Sequence, residues 1–409
     1  MGIVFTTIPL LLNYLEKEQY GIWVTIFSLV NIVFFVDAGI GNGLKTKLSE
    51  ALSLRDLKLA RTYISTAYII ISSISLIVFC LGVFLIFLIN FQDLLNTNIA
   101  ERELKMLLLT TLSLVIVTFV LNLYKSFYYA NQQASKIELA MLLCQATILI
   151  SIAILIQFFP QKLLYVALIY GVLNITISII FTILFFKKNK QIKPSFKSFS
   201  KEKIKDLMGL SLGFFAIQLC MIIIFATDNL IISNLLGPGE VTNYDIVYKL
   251  FQVVITLSVI AQDPLWALYT DAYQKRDYNW IKQTLIRLNR LFILFVLFVF
   301  VLLLISKSII KVWIQRDLLI SNSLVLFMAI FVVIRVYGII YMNFLNSIGR
   351  IKLQMKLYIF GAVINLPLSI FFVQQFNLGS SGVILGTILS VVGLSIALPI
   401  QTFKILKGK

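Results

Sequence analysis

Apolar runs of about twenty residues recur from end to end of this 409-residue chain, and they leave few folds open. A run of that length crosses a hydrocarbon core of ~30 Å as an α-helix. The runs are continuous rather than alternating, which excludes a membrane β-barrel. Hydrophobic residues make up 60% of the chain and charged residues 13%, where a soluble domain carries about 25% charged. The sequence therefore predicts an all-α polytopic membrane protein. Spans are expected at 20–43, 62–90, 104–124, 138–158, 163–186, 208–235, 244–270, 288–314, 320–345, 353–375 and 380–403. The run from Gly2 to Leu12 is shorter and lacks the basic flank and cleavage site of a signal peptide. It is read as a truncated first helix, which brings the expectation to about twelve transmembrane helices.

The net charge is +17. In a soluble protein that would point to nucleic acid. Here the cations sit in short loops, so no nucleic-acid partner is expected and the positive-inside rule applies instead. On alternate loops the split is 26 of the 35 Lys and Arg against only Lys17, Arg102, Lys105, Lys162, Lys307, Lys311 and Arg316. That asymmetry places both termini in the cytoplasm. The chain has no His, which removes the commonest proton shuttle, Ser-His triads and His metal sites. Cys80, Cys144 and Cys220 lie within apolar runs and read as small core residues. The longest loops are about 20 residues, too short for the extramembrane catalytic domain of a membrane polymerase or glycosyltransferase. No enzyme, metal site or catalytic residue is expected.

The longest basic loop divides the chain into an N-terminal six-helix lobe at 1–186, a linker at 187–207 and a C-terminal six-helix lobe at 208–409. The linker carries Lys187, Lys188, Lys190, Lys193, Lys197, Lys201, Lys203 and Lys205, a composition attracted to anionic membrane lipids. The two lobes are weakly alike. Asn13-Tyr14-Leu15 with Tyr20-Gly21-Ile22-Trp23 answers to Ser233-Asn234-Leu235-Leu236-Gly237 with Tyr244-Asp245-Ile246-Val247. Each continues through a span to an acid near the cytoplasmic end, Asp37 or Asp263, and then to a basic amphipathic loop, Ser53-Leu54-Arg55-Asp56 through Arg61 or Lys275-Arg276-Asp277 through Arg290. Six spans per repeat keep the same orientation, so the lobes are expected to be related by a pseudo-twofold axis along the membrane normal. A substrate site is expected between them.

Charges inside spans cost on the order of 2.5–3.5 kcal/mol each on insertion scales, so they normally face a cavity or a partner. Arg335 falls near the middle of its span and is the deepest cation. Its guanidinium can grip phosphate in two-pronged fashion, or pair with an acid such as Asp228 or Asp263. Lys249 is a second candidate cation, with Asp228 or Asp245 as a structural partner. Asp228 is a candidate proton or sodium site. Asp37 and Asp263, near the inner ends of their spans, read either as interfacial caps or as parts of a cytoplasmic gate. Gly39, Gly41 and Gly43 follow a membrane span rather than a strand and are not a dinucleotide fingerprint. They read as packing or bending positions, as do Gly209-x-x-x-Gly213 and Gly382-x-x-x-Gly386.

Tyr20-Gly21-Ile22-Trp23 followed by Phe35-Val36-Asp37-Ala38-Gly39-Ile40-Gly41-Asn42-Gly43-Leu44 resembles the Wzx-type O-antigen flippases. These are polysaccharide transporters of the multidrug/oligosaccharidyl-lipid/polysaccharide (MOP) superfamily. Asp228-Asn229-Leu230-Ile231-Ile232-Ser233 with Leu236-Gly237 looks like the matching segment of that family's second half. One departure is that the family's first helix is longer, and this chain begins partway through it. The resemblance implies two six-helix lobes in a MATE-like arrangement in the bacterial inner membrane. It also implies transfer of undecaprenyl-diphosphate-linked oligosaccharide from the cytoplasmic to the periplasmic leaflet. The candidate energy sources are a coupling H+ or Na+, the membrane potential or downstream consumption, and the sequence does not choose among them. A polysaccharide polymerase and a chain-length regulator are the implied partners. Arg335 and Lys249 would neutralise the diphosphate, with Asn31, Asn122, Gln145, Asn174, Gln218 and Asn365 offering hydrogen bonds to sugar. The alternative with the same architecture is a MATE-like cation-coupled drug exporter.

Overall fold

The computed structural model describes residues 2–35, 39–208, 212–262 and 264–407. The chain divides into two compact units, residues 1–215 and 216–409. The first holds α1 (Gly2–Asn31), α2 (Ile40–Ser53), α3 (Leu57–Leu88), α4 (Phe91–Leu95), α5 (Glu101–Leu121), α6 (Leu123–Ala130), α7 (Ala134–Phe158), α8 (Leu163–Lys188) and α9 (Lys203–Met208). The second is built from α10 (Leu212–Leu236), α11 (Pro238–Gln262), α12 (Leu265–Gln274), α13 (Tyr278–Ile314), α14 (Asn322–Ser347), α15 (Lys352–Gln375) and α16 (Ser380–Lys407). No strand occurs among the described residues. Among the described residues ten helical segments are long and apolar enough to cross a membrane, counting α5 and α6 as one. On α3 the side chains of Leu76, Ile77, Leu81, Phe84, Phe87 and Leu88 are exposed. A face of that size would be an aggregation site in water and is at home against lipid. The chain is a multi-pass membrane protein.

The expected first two spans are corrected in detail. They form the two arms of α1, which breaks at Glu16 (φ 59°, ψ 177°). The second arm stops at Asn31, short of the expected 43, and continues only as a 3₁₀ turn, Ile32–Phe35. Ile40–Ser53 is instead a separate amphipathic helix, α2. Its Ile40, Leu44, Leu48 and Ala51 are fully buried, at the spacing of one helical face. Extending span 20–43 through Gly39 overlooked the turn there: Gly39 sits at φ 77°, at the N-terminus of α2.

The internal repeat appears in the backbone. Left-handed residues occur in matched order in the two units. Glu16 answers to Gly237, Arg55 to Arg276, Asn96 to Gln315 and Gln132 to Gly349. At the second pair the copies agree in detail. Asp56 accepts from the Leu59 N–H at 2.9 Å, and Asp277 accepts from the Trp280 N–H at 2.9 Å. Each aspartate caps a long span, α3 or α13, satisfying one of the free N–H groups at a helix start. At the first pair the copies differ in kind: where the second unit has Gly237 (φ 90°), the first has Glu16, exposed and in a region that only glycine occupies readily. Such a residue costs on the order of 1–3 kcal/mol. Glu16→Gly is therefore expected to raise thermal stability by about 1 kcal/mol. Thermal unfolding of the purified protein in detergent reads this directly, and a lower midpoint would remove the strain argument.

In the second unit α16 packs against both α14 and α15. The small residues of Gly382-x-x-x-Gly386 allow the close approach to α15. A Cβ on Gly386 would lie 2.8 Å from the Ser369 backbone nitrogen, and one on Gly382 would lie 3.0 Å from the Phe372 and Val373 backbone. Gly209 of the other expected small-residue pair lies outside the described residues. The three cysteines are free; Cys144 and Cys220 are buried and Cys80 is exposed.

Candidate functional site

The intramembrane charges described in the second unit gather on α10, α11 and α14, with α15 and α16 supplying polar partners. Asp228 lies on α10, and the turn at Gly237 brings α11 back beside it. Tyr244 Oη then donates to Asp228 Oδ2 at 2.8 Å. Thr387 Oγ1, from α16, lies 3.1 Å from both carboxylate oxygens. Asn365 on α15 donates its Nδ2 to Thr387 Oγ1 at 3.2 Å. Asp228 is only 3% exposed. A carboxylate so buried is tolerable because charge-assisted hydrogen bonds replace its water. Asn365 is fully buried, and its Oδ1 has no hydrogen-bond partner among the described residues. Oxygen ligands of this kind are the type that suits a proton or a hard cation.

Lys249 and Asp245 are one helical turn apart on α11 and form an ion pair of 2.6 Å. The alternative bridge from Lys249 to Asp228 is not among the ion pairs of the described residues; Tyr244 and Thr387 are the donors to the Asp228 carboxylate. Arg335 is half-buried on α14. Its Nη1 donates to Tyr358 Oη at 2.8 Å, and its guanidinium lies 4.9 Å from the centre of the Phe225 ring. The ring face attracts the cation but does not neutralise it. The expected pairing with Asp228 does not form, and among the described residues no carboxylate pairs with Arg335. Tyr248, whose ring stacks on Tyr244, lies within electrostatic reach of Arg335, Asp228 and Asp245. Counted with Lys249, these make a set of four charged side chains in which Lys249 and Asp245 form the ion pair. With both carboxylates ionised their net charge is zero. It becomes +1 when Asp228 is protonated or holds a monovalent cation.

Asp37 and Asp263 lie outside the described residues. Of the polar side chains expected to face sugar, Asn31 and Asn174 turn their amides back to their own helices, onto the Phe27 and Tyr170 carbonyls. Asn122 ends α5, and Asn365 belongs to the Asp228 network. The partners that define the cluster, Tyr244, Tyr358, Phe225 and Thr387, were not singled out from sequence. Tyr244 carries a local signal, sixteen residues beyond Asp228 across a hairpin. Thr387 is 159 residues away and carries none. Lys125, which sequence reading assigned to a loop, is on α6 and half-buried, with no ion pair among the described residues.

The profile of the polysaccharide biosynthesis protein family matches residues 1–262, and that of the MatE family matches residues 214–371. The chain is 25% identical over 406 residues to the "Putative O-antigen transporter" of Salmonella typhimurium, covering 95% of this chain and 89% of that protein. It is 24% identical over 404 residues to the "Putative O-antigen export protein" of Yersinia pseudotuberculosis, with the same coverage. Among solved structures, the inward-facing form of a multidrug resistance MATE family transporter of the MOP superfamily superposes with a TM-score of 0.82. That match has 16% identity and covers 99% of this chain and 94% of that one. It speaks to the fold alone.

Proposed function

Because this chain belongs to the polysaccharide biosynthesis protein family, we propose that it is a flippase for a lipid-linked oligosaccharide. The substrate is an undecaprenyl-diphosphate-linked O-antigen repeat unit, moved from the cytoplasmic to the periplasmic leaflet by alternating access. The observation that carries this reading is Arg335, a cation within a span that no described carboxylate neutralises. An unneutralised charge at that depth is costly, and a diphosphate is the kind of anion that would use it. The sugar-diphosphate head cannot cross hydrocarbon unaided, while the prenyl tail can stay in lipid. Lys249 adds a second cation, moderated by Asp245. Asp228 takes up the coupling H+ or Na+, and its ionisation switches the cluster between zero and +1. The basic loops lie on the cytoplasmic side, and a polysaccharide polymerase with its chain-length regulator receives the product. Asp37 and Asp263 serve as a cytoplasmic gate in this scheme. A MATE-like exporter of cationic drugs is disfavoured by the same residues, since the buried acid Asp228 is already hydrogen-bonded and the charge without a described counter-ion, Arg335, is positive.

In a strain lacking the gene, diphosphate-linked oligosaccharide is expected to accumulate with its head group inaccessible from the periplasm, and surface polysaccharide to be lost. Restoring the gene reverses both. Lipid mass spectrometry alongside a periplasmic accessibility assay measures this. An unchanged lipid pool with new sensitivity to cationic drugs would replace the flippase by the exporter.

A further inference from the structure

The stretch joining the two units is an ordered strap rather than a loose tether. Directly after α8, short 3₁₀ turns at Lys190–Ile192 and Phe196–Ser198 lead into α9. The strap is pinned to the start of α3. The Ser195 N–H donates to Ser65 Oγ at 3.0 Å, the Ser200 N–H donates to Thr66 Oγ1 at 3.2 Å, and Tyr63 Oη donates to Asp206 Oδ2 at 3.0 Å. Lys203 pairs with the same carboxylate at 3.1 Å. The Lys203 ammonium, with the Tyr63 hydroxyl, holds the Asp206 carboxyl below the usual carboxylate range. Ile192 and Leu207 are buried. The Leu207 carbonyl lies so close to Gly43 that any side chain there would collide with it. These contacts fix which side of the strap faces the protein.

What faces outward is basic and aromatic, with the exposed acid Glu202 among the lysines. Lys187, Lys188, Lys190, Lys193, Lys197, Lys201 and Lys205 are exposed, and none makes an ion pair among the described residues. Between them stands Phe196, 89% exposed on a segment whose backbone is held on both sides of it, with Phe199 also exposed. The strap begins where a membrane span ends and lies across the first turns of another, so it sits at the level of lipid headgroups. An aromatic ring belongs there, and lysines at that level attract an anionic leaflet. Water alone gives a fixed phenyl ring no reason to stand in a field of lysines.

We propose that this strap is a docking surface for anionic phospholipid, with Phe196 inserted below the headgroups and Lys193, Lys197 and Lys201 holding their phosphates. This rests on the membrane placement of the chain and not on the flippase reading, so the two can fail separately.

The test uses the full chain in nanodiscs of phosphatidylcholine, with or without phosphatidylglycerol, and the single substitution Phe196→Trp. Its emission is taken as the difference from the parent, which has four tryptophans of its own. With phosphatidylglycerol present, the added indole is expected to shift to the blue and to be quenched by lipid brominated near the headgroup. The preference for anionic discs should fall by about fivefold for each of Lys193→Gln, Lys197→Gln and Lys201→Gln. These side chains and Phe196 point away from the strap's anchoring contacts, so folding is not at issue. A water-like emission in both kinds of disc overturns the proposal, as does equal quenching in both.

Discussion

Replacing Arg335 by alanine is expected to slow flipping of the lipid-linked oligosaccharide about 30-fold or more while the amount of protein in the membrane stays normal. Removing one partner of a buried, hydrogen-bonded charge pair costs on the order of 2–5 kcal/mol, and 2 kcal/mol is already about 30-fold in rate. The abundance half of the prediction has its own physical basis. Alanine removes a cation whose presence in a span costs about 2.5–3.5 kcal/mol on insertion scales. In exchange, Tyr358 loses a hydrogen-bond donor, which is worth about 1 kcal/mol. The folded protein therefore loses little and gains back some insertion energy. Flux into the outer leaflet of proteoliposomes, normalised to protein, is the measurement.

Two companion substitutions separate binding from scaffolding. Arg335→Lys keeps the charge but loses the planar fork and the stacking on Phe225, so intermediate flux is expected. Tyr358→Phe removes the hydrogen bond of 2.8 Å to Arg335, together with the weak donation to Met342 Sδ at 4.0 Å, and leaves the guanidinium in place. Near-normal flux in Tyr358→Phe with slow flux in Arg335→Ala assigns the effect to the cation. Equal losses in both would reduce Arg335 to a structural prop for α15.

The architecture was legible in the sequence because the bilayer writes it in one variable, the length of apolar runs. Ten of the expected spans appear as helices, most within a few residues of their predicted ends; the span expected at 244–270 runs instead over Pro238–Gln262, and the one expected at 288–314 begins at Tyr278. The failure at 20–43 has a physical cause. Val24 to Phe35 is apolar enough to continue a span, and hydropathy does not register the left-handed turn at Gly39 that opens α2. The repeat was visible in Leu54-Arg55-Asp56 and Lys275-Arg276-Asp277 because a left-handed residue followed by an aspartate cap is local chemistry. The site was legible only where it is local. The pairing of Lys249 with Asp245 follows from one turn of helix. The satisfaction of Asp228 by Thr387, and of Arg335 by Tyr358 and Phe225, depends on which faces of distant helices meet, and no spacing encodes that. The strap shows the same limit, since its lysines announced a basic loop but not the contacts to Ser65 and Thr66 that order it.

Asp228→Asn is expected to leave substrate binding intact and to reduce net flipping by at least an order of magnitude, with loss of its dependence on a proton or sodium gradient. Asparagine is nearly isosteric with the carboxylate. Its oxygen can still accept from Thr387, and its amide can donate to Tyr244 Oη, so the contacts joining α10, α11 and α16 persist in altered polarity. What changes is charge. With Asp228 neutral, the cluster of Asp228, Asp245, Lys249 and Arg335 stays at +1 in every state. A site held positive keeps its affinity for a diphosphate and loses the step that lowers it. Each 1.4 kcal/mol of affinity no longer released slows departure about tenfold. The sign is therefore opposite to that of Arg335→Ala, in which binding itself should weaken. Equilibrium binding and gradient-driven flux, measured on the same proteoliposomes, distinguish the two. Thr387→Val is the control, since it removes hydrogen bonds to Asp228 without touching its charge and should preserve the gradient response. An Asp228→Asn protein that flips at the wild-type rate with its gradient response intact would leave Asp228 as an anchor for Tyr244 and α16, and the coupling site would have to lie elsewhere.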